Sequence, residues 1–599
     1  MGGLSRETTK VHSEDTFERL RDSIVHHDSQ IDRLRKKREK YLEAASGTLY
    51  AHNRREDSSQ QEMINLMRQA AESMTLSMAA NRPRFLVNAS AVKNTAFANH
   101  FEQALNVYAT RMHMEETLQE CVRNAFYHIG IAKVSFGNAP NVIVESDEWM
   151  SPGEPYCGCV SPNHFCYDTD ATDFRHCAFT ADRYRVRFND LVEDQRFDSK
   201  VRNEIKKRGP DIMRNGEEEW GKPLNAGFGT ASQFEEFVYL TDVFLPKDGM
   251  IYTFPCDGQF RLTSTKPIYD QEWNGSETGP YKFLNLGPIP DKTTPSSPAS
   301  NLLLLHELVN SLYRKLSRQA SQQKQILGGR MGHDDDVKSA QEAQDGDVVL
   351  FSDPSSFEML RFFGPDQSLF AFALNAIQQF DTQGGGVKHQ LGVGQSADTL
   401  GQEQMVSQRS AGYQASYGER YNKFVSDIAV ELSRLLFEDQ VTELKMTRNV
   451  TGTDISYDAP WLSASSEGGR QGDFDDYGIT IDPYSMGYRS PQDRLAELSA
   501  ALHEAVSLGP VLQEQGKVID LDYYLQQKAR LTDMPDLTLL IKDAPPPPDQ
   551  QREQQAARQQ QGSDPNKGVY THRSVSNNDT GNDQIQQMMA AGQPGAVDG

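Results

Sequence analysis

The sequence has few cysteines and no long apolar run. Only 6 of its 599 residues are cysteine, which is too few for a disulfide framework in a chain of this length. No stretch of about 18 apolar residues occurs anywhere, and the start, Met1 to Thr8, contains no apolar core of a signal peptide. These absences predict a soluble protein of a reducing compartment, with no membrane among its partners.

The sequence motifs of the common catalytic classes are also absent. The chain has no GxxxxGK[ST] phosphate loop, no HExxH, no GxSxG and no GxGxxG after a strand pattern. The acidic run GDFDDYG at 472–478 begins like a calcium loop, but Tyr477 stands where a side-chain oxygen is needed. We therefore expect no enzymatic activity and no cofactor.

Acidic residues outnumber basic ones across the chain. Asp and Glu total 84 against 61 Lys and Arg, which gives a formal net charge of −23 and a pI near 5.1. Such a surface repels phosphates, so tight static wrapping of nucleic acid is unfavourable, although a local basic loop could still touch it. The length predicts two or more structural units, or one elongated protomer.

Apolar periodicity predicts helices in the first part of the chain. A polar helix is predicted over 14–45, a second over about 59–80, and one continuous helical region over 94–128. The stretch GIAKVSFG at 130–137 then opens a strand-rich segment that extends to about residue 290. The expected fold class is therefore α+β.

A new helix begins at Ser297 and Pro298, a cap followed by proline at the first helical position. Its apolar stripe gives way to the polar run SRQASQQKQ at 317–325. This helix is therefore predicted to begin in a hydrophobic core and to end exposed to solvent. A strand candidate follows at 345–351 and a shorter helix at 368–380.

A Gly-rich loop, TQGGGVKHQLGVGQSAD at 382–398, comes next and carries Lys388 and His389. Thr399 and Gln402 then form a capping box that opens a helix reaching Glu438. Few globular enzymes contain a helix of about 38 residues, since the average is nearer 10–14. This part of the chain is typical of an elongated structural protein.

The last third begins with strand-like sequence over 441–485. Ser490 and Pro491 start another helix, and helical sequence continues to about residue 541. From Asp543 the composition changes to PPPP followed by Gln-, Gly- and Asn-rich sequence. Such a composition cannot bury enough apolar surface to offset its ordering entropy, so a disordered tail is predicted.

Six stretches and the Lys388 loop occur in an order that is typical of one protein family. They are NRPRFLVNA (81–89), LQECVRNAFYHIGIAKVSFG (118–137), VSPNHFCYDTDATDFRHCAF (160–179), the stretch from GPYKF to SRQA (279–320), DGDVVLFSDPSSFEMLRFFGPD (345–366) and TLGQEQMVSQRSAGYQASYGERY (399–421). Together they resemble the portal protein, or head-to-tail connector, of tailed double-stranded DNA bacteriophages. Thr169 and Asp170 depart from the family pattern, which more usually has a proline at this turn.

The resemblance covers roughly residues 60–540 and implies an elongated portal-type protomer. Its parts would be a mixed α/β wing, a helical stem, a small α/β clip, a long wing helix, a helical crown and a disordered tail. The implied boundaries are 1–58 for an N-terminal helical arm, 59–296 for the first part of the wing, 297–327 for the first stem helix, 328–364 for the clip, 365–381 for the second stem helix, 382–398 for the tunnel loop, 399–489 for the long wing helix and strands, 490–542 for crown-like helices and 543–599 for the tail.

The function implied by the resemblance is a ring, a homododecamer in this family, at a unique vertex of the virion capsid. DNA would pass through its channel during packaging and ejection, and the ring would initiate head assembly. The implied partners are further copies of this chain, double-stranded DNA, the terminase large subunit, a head-tail adaptor, and the major capsid and scaffold proteins. The protein would occupy the host cytoplasm during assembly.

The resemblance also implies three groups of contact residues. Tunnel-loop residues would touch DNA, stem residues would line the channel or face neighbouring stems, and clip residues would contact partners. The alternative for each group is that its residues are exposed to solvent and contact no partner. The groups are Lys388, His389 and Gln390 in the loop; Arg314, Lys315, Arg318 and Lys324 in the stem; and Asp334, Asp335 and Asp336 in the clip.

The stretch YCGCVSPNHFCYDTDATDFRHC at 156–177 contains four of the six cysteines and two histidines. Structural zinc sites usually pair their ligands as CxxC, CxxxxC or HxxxH, and these spacings do not follow that pattern. The one conceivable zinc set is Cys157, Cys159, His164 and Cys166. The sequence favours the other interpretation, in which the thiols lie incidentally on a strand and turn and bind no metal.

Two further function classes stay open on sequence alone. A different virion structural protein, such as a tail or scaffold component, explains the helices and the tail equally well. It does not explain why a Gly-rich basic loop separates a short helix from a very long one. A metal-dependent enzyme that uses the Cys/His cluster is the third hypothesis.

Overall fold

The protein forms two compact units, Met1–Tyr488 and Arg489–Gly599. The first is mixed α and β with several sheets, which confirms the predicted α+β class. The computed structural model describes residues 14–47, 64–137, 153–193, 199–208, 237–256, 260–264, 266–329, 335, 338–339, 342, 357–362, 364–384, 400–449, 456–466, 468–482, 485–486, 491–507, 524 and 528.

Ten helices occur in the described part of the chain, nine of them in the first unit. None of these described helices has the length and apolarity that a membrane-spanning helix needs. They are α1 (Glu14–Ser46), α2 (Leu66–Ala79), α3 (Thr95–Arg111), α4 (Met114–Tyr127), α5 (Phe188–Glu193), α6 (Ser199–Arg208), α7 (Pro298–Ser321), α8 (Gln367–Gln383), α9 (Leu400–Glu438) and, in the second unit, α10 (Pro491–Ser507).

The described strands form a three-stranded sheet, a five-stranded sheet and three two-stranded pairs, all antiparallel. The strands are β1 (Arg84–Ala89), β2 (Gly130–Phe136), β3 (Pro155–Cys159), β4 (Phe165–Tyr167), β5 (Thr180–Arg187), β6 (Phe237–Leu245), β7 (Met250–Cys256), β8 (Tyr269–Glu272), β9 (Tyr281–Leu284), β10 (Lys324–Gly329), β11 (Phe357–Phe362), β12 (Thr447–Asn449), β13 (Ser456–Asp458) and β14 (Tyr477–Asp482). The sheet orders are β3-β2-β9 and β4-β5-β6-β7-β8, and the pairs are β1-β14, β10-β11 and β12-β13.

Helix ends follow local capping chemistry where the sequence offers it. Asn65 caps α2 by accepting a hydrogen bond from the Arg68 backbone N–H, so this helix begins later than the predicted residue 59. The continuous helix predicted over 94–128 is wrong. His113 adopts a left-handed conformation with φ of 47°, which separates α3 from α4.

The helix predicted over 297–327 begins at the predicted place but is too long. Ser297 caps α7 through its side chain, and Pro298 is the first helical residue. The helix ends at Ser321, because residues 324–329 pair with 357–362 as the antiparallel hairpin β10-β11. Those strand hydrogen bonds satisfy backbone groups that a longer helix would otherwise have bonded internally.

Two large hydrophobic cores, and a small third cluster around Val186 and Leu240, organise the described part of the first unit. The larger one joins α2, α3, α4, α7, α8 and α9 with one face of the three-stranded sheet. The smaller one lies on the five-stranded sheet and is covered by Phe17, Ile24 and Ile31 of α1. These three residues recur every seven positions, so they share one face of the helix. The polar helix predicted over 14–45 is α1, and it packs on the five-stranded sheet of the same chain.

A buried ionic cluster connects the two larger sheets. Lys133 of β2 places its Nζ 2.8 Å from Asp182 Oδ1 of β5 and 2.7 Å from Asp242 Oδ2 of β6. Asp182 and Asp242 are directly opposite in the β5-β6 register. Burial disfavours the charged form of Lys133, but the two carboxylates outweigh burial and raise its pKa well above the usual value.

His128, which follows α4, makes the stability of the fold depend on pH. Burial lowers its pKa to about 4, and the nearby guanidinium groups of Arg38 and Arg35 add to the shift. The unfolded histidine has a pKa of about 6.5, so between these values only the unfolded chain binds a proton, and stability falls as the pH falls.

We expect the wild type to lose about 2 kcal/mol more than His128→Gln between pH 7 and pH 5, at about 1.4 kcal/mol per pH unit below pH 6.5. Denaturant unfolding of both proteins at the two pH values measures this difference. Equal losses for the two proteins would show that His128 does not carry this linkage.

Candidate assembly surface

The antiparallel helices α7 and α8 form a hairpin. The apolar stripe of α7 packs against Ala373, Ala376 and Phe380 of α8 within the larger core. The Asp366 backbone N–H, at the start of α8, donates to Gln319 Oε1 near the end of α7 over 3.2 Å. The two alanines of the packed face leave room for the helices to approach closely.

Each helix of the hairpin begins with a side-chain cap. Ser297 accepts a hydrogen bond from the Ser300 N–H at the start of α7. Asp366 accepts one from the Ser368 N–H over 2.9 Å at the start of α8, and these bonds lower the pKa of its carboxyl group. The middle of α7 is fixed to the segment before α2, because Asn310 exchanges two hydrogen bonds with the Ile64 backbone.

Large apolar side chains remain exposed on α8. Phe370, Phe372 and Leu374 are 51%, 52% and 52% exposed. At 3.6 residues per turn, Phe370 and Leu374 share one flank of the packed face, and Phe372 lies roughly 160° away on the opposite flank. The single chain therefore has apolar surface on two sides of this helix, which marks an interaction surface.

Helix α7 repeats this arrangement. Leu304 is 73% exposed, Leu308 lies one turn further along the same flank, and Tyr313 is exposed on the other flank. Lys315 continues the Leu304 and Leu308 flank towards the end of the helix and is exposed, as is Arg318. The exposed flank of α7 is therefore apolar in its first half and basic near its end, and the exposed apolar residues of α8 lie in the first half of that helix, beside the end of α7.

Of the other two predicted stem residues, Arg314 lies in α7 as predicted and Lys324 does not. Arg314 is half-buried, and its Nε donates to the Asn310 carbonyl oxygen over 3.1 Å. Lys324 does not lie in the stem helix as predicted but at the first position of β10, opposite Phe362. The reason is the strand pairing that ends α7 early.

Most predicted clip and loop contacts fall outside the described residues. Asp335 is exposed, whereas Asp334 and Asp336 lie outside the described part. The tunnel-loop candidates Lys388, His389 and Gln390 also lie outside it, between Gly384 and the start of α9. The same holds for the strand predicted at 345–351 and for the tail predicted over 543–599.

Helix α9 extends over 39 residues, a length of about 58 Å. Its last half is buried in the larger core. Glu431 ties this half to β9, because its Oε2 lies 3.0 Å from Lys282 Nζ, and Arg434 pairs with its other oxygen at 2.6 Å. The helix predicted from Thr399 to Glu438 is thus anchored at its C-terminal end.

A cleft of about 590 Å³ lies beside these ion pairs, between β9, α9 and the turn at Phe174–His176. Lys282 and Glu431 line it, and they neutralise each other. Burial opposes the charged form of Glu431, but Lys282 and Arg434 outweigh burial and lower the pKa of its carboxyl group. This arrangement is that of an ion pair which holds a helix to a sheet.

The four conceivable zinc ligands are not brought together. Among the described residues, the one group of histidine, cysteine or acidic side chains with metal-ligand spacing does not include them. Cys157 lies in the larger core and Cys166 in the smaller one, while Cys159 accepts a hydrogen bond from Asn124. Burial raises the pKa of Cys157 to about 12 and lowers that of His164 to about 3, so both groups are neutral.

The contact residues predicted from the sequence are mostly basic or acidic, and the exposed apolar residues of α7 and α8 are not among them. The stretch SLFAFALNAIQQF indicates exposed apolar residues, because its projection at 3.6 residues per turn places apolar side chains on more than one face of the helix. No protein-family model matches the sequence, and no curated protein matches it either. The features of the chain that bear on its function are therefore the α7-α8 hairpin and the order of elements around it.

Proposed function

We propose that this chain is a portal-type protein that assembles into a closed ring, a dodecamer as the sequence resemblance implies. The observation that carries the proposal is the hairpin of α7 and α8 with exposed apolar side chains on both flanks. The order of elements around it supports the same conclusion: helix, strand hairpin, antiparallel helix, then a helix of 39 residues.

Two apolar flanks favour a ring over a two-fold dimer. In a two-fold dimer each copy uses one self-complementary patch, whereas head-to-tail contact uses two different patches on every copy. Phe370 and Leu374 form one patch of α8 and Phe372 belongs to the other. Head-to-tail contact closes into a ring when the rotation between copies divides a full turn, and otherwise it gives a filament.

The charge of the chain supports a channel for DNA. Every copy contributes −23, so a ring would be strongly acidic and would repel phosphates, which lets DNA slide without sticking. The exposed Lys315 and Arg318 near the tip of α7 provide local positive charge. By the resemblance, the loop residues Lys388, His389 and Gln390 are the DNA contacts nearest the axis.

The proposal assigns the remaining roles by the resemblance. The ring would occupy one vertex of the virion capsid after assembly in the host cytoplasm, and it would initiate the head with scaffold and major capsid proteins. The segment with Asp334, Asp335 and Asp336 would bind the terminase large subunit during packaging and a head-tail adaptor later. No catalytic residue and no cofactor enter this function.

A tail or scaffold component is the second candidate, because the same apolar flanks also suit a filament. Negative-stain imaging of the purified full-length protein separates the two. We expect closed rings with an axial hole, and mass photometry should give a mass near twelve chains. Open filaments would favour the second candidate, and a population of monomers at micromolar concentration would contradict both.

A further inference from the structure

Helix α1 meets an acidic turn of the smaller core at His27. The turn follows β4 and has the sequence DTDATD at 168–173. A ring nitrogen of His27 and one carboxylate oxygen each from Asp168 and Asp170 lie within 4.8 Å of one another. Across the residues that the structure describes, this is the one such group of potential metal ligands.

Thr169 contacts one ring nitrogen of His27 through two groups. Nδ1 lies 2.8 Å from Thr169 Oγ1, and that hydroxyl lies 2.9 Å from Gln30 Oε1. The Thr169 backbone N–H lies 3.3 Å from the same nitrogen and donates to it when Nδ1 carries no proton. When Nε2 binds a metal ion, the ring proton is on Nδ1, where the Thr169 hydroxyl accepts it while donating to the Gln30 amide oxygen.

The other nitrogen, Nε2, faces a carboxylate. Asp168 Oδ1 lies 3.7 Å from it, which is beyond hydrogen-bond distance. The side chains of His27 and Asp168 are only 9% and 15% exposed. The gap between the imidazole nitrogen and the carboxylate oxygen is wide enough for a cation that binds both atoms.

The separation and the surroundings fit a metal ion. Zinc binds nitrogen and oxygen ligands at about 2.0–2.2 Å, so two ligands at a tetrahedral angle lie about 3.4 Å apart, close to the observed 3.7 Å. A metal-bound histidine almost always donates its second N–H to an oxygen, and Thr169 Oγ1 lies 2.8 Å from Nδ1 of His27, in position to accept it. One imidazole with two carboxylates suits a divalent ion of the zinc type.

We propose that His27, Asp168 and Asp170 bind a divalent transition-metal cation of the zinc type, with water completing the coordination. The ion fastens α1 to the turn after β4. The Asp168 carboxylate is already positioned, because it accepts hydrogen bonds from the backbone N–H groups of Asp170 and Ala178 over 3.0 Å and 3.1 Å. The proposal goes beyond the ring function, since all three ligands belong to one protomer.

Calorimetric titration of chelator-treated full-length protein with zinc chloride tests this site. We expect one zinc ion per chain. Asp170→Asn and His27→Gln should each weaken binding at least tenfold, since each removes a ligand. Asp170 is exposed, so its replacement does not disturb the core. His26→Ala is the matched control, because it removes the neighbouring imidazole and leaves the proposed ligands intact.

Hydrogen exchange of residues 14–46 supplies a second measurement. Zinc should slow exchange there in the wild type and in His26→Ala, but not in Asp170→Asn. Absence of saturable one-to-one binding, or equal affinity in the wild type and Asp170→Asn, would overturn the proposal. The stoichiometry per chain is the same for a monomer and a ring, so a negative result leaves the proposed ring function untouched.

Discussion

Replacing Phe370 and Leu374 together by aspartate is expected to abolish ring formation and leave folded monomers. Both side chains are about half exposed in the single chain, so the fold loses little when they change. In the proposed ring each would be buried against the next copy. Full burial of a large apolar side chain contributes about 1.5–3 kcal/mol, so covering the exposed half contributes about half of that. The double substitution removes both contributions from every interface.

At about 2 kcal/mol per interface, the loss weakens each contact roughly thirtyfold, and the cost of burying two aspartates adds to it. Mass photometry measures the ring fraction, and circular dichroism checks that the helices persist. Asn375→Asp is the matched control, because it adds a charge to the exposed outer face of α8 without removing apolar surface. Rings of normal abundance in the double variant would exclude this flank from the interface.

Lys133→Met is expected to destabilise the first unit by about 3–5 kcal/mol, the cost of removing one partner from a buried ionic cluster. The substitution would leave Asp182 and Asp242 opposite each other with no cation between them. Tyr184 and Thr253 still donate hydrogen bonds to Asp242, but these donors carry no charge.

Thermal and denaturant unfolding measure this effect against Lys36→Met. Lys36 forms an exposed pair with Asp32, and exposed pairs contribute about 0–1 kcal/mol. The deficit of Lys133→Met should shrink on acidification, because protonation neutralises the carboxylates. Burial already raises the pKa of Asp182. A deficit no larger than that of Lys36→Met would show that the cluster does not stabilise the unit.

Local signals in the sequence predicted several elements nearly to the residue. The helix predicted over 14–45 is α1, Glu14–Ser46, and the one predicted from Thr399 to Glu438 is α9, Leu400–Glu438. Ser297 with Pro298 gave the start of α7, since capping chemistry acts within one turn of the chain. These features depend on neighbours in the sequence alone.

Features that depend on distant partners were not predictable. Lys133 lies in the predicted strand GIAKVSFG at 130–137. Its partners, Asp182 and Asp242, are 49 and 109 residues away in the sequence and come together only through sheet register. His27 and Thr169 are 142 residues apart. The early end of α7 depends on β11, which follows a long intervening segment. The exposed flanks of α8 were visible in the sequence by helical projection.

The pairing of β1 with β14 constrains when the chain completes its fold. Arg84 pairs with Asp482, and the Asn81 N–H donates to the Met486 carbonyl oxygen over 3.0 Å. During synthesis, β1 therefore has no strand partner of its own until nearly 400 more residues have left the ribosome. A chain that terminates early keeps an open β edge, which is a template for aggregation. A chain that ends before residue 477 therefore cannot complete the two-stranded sheet that joins these distant segments.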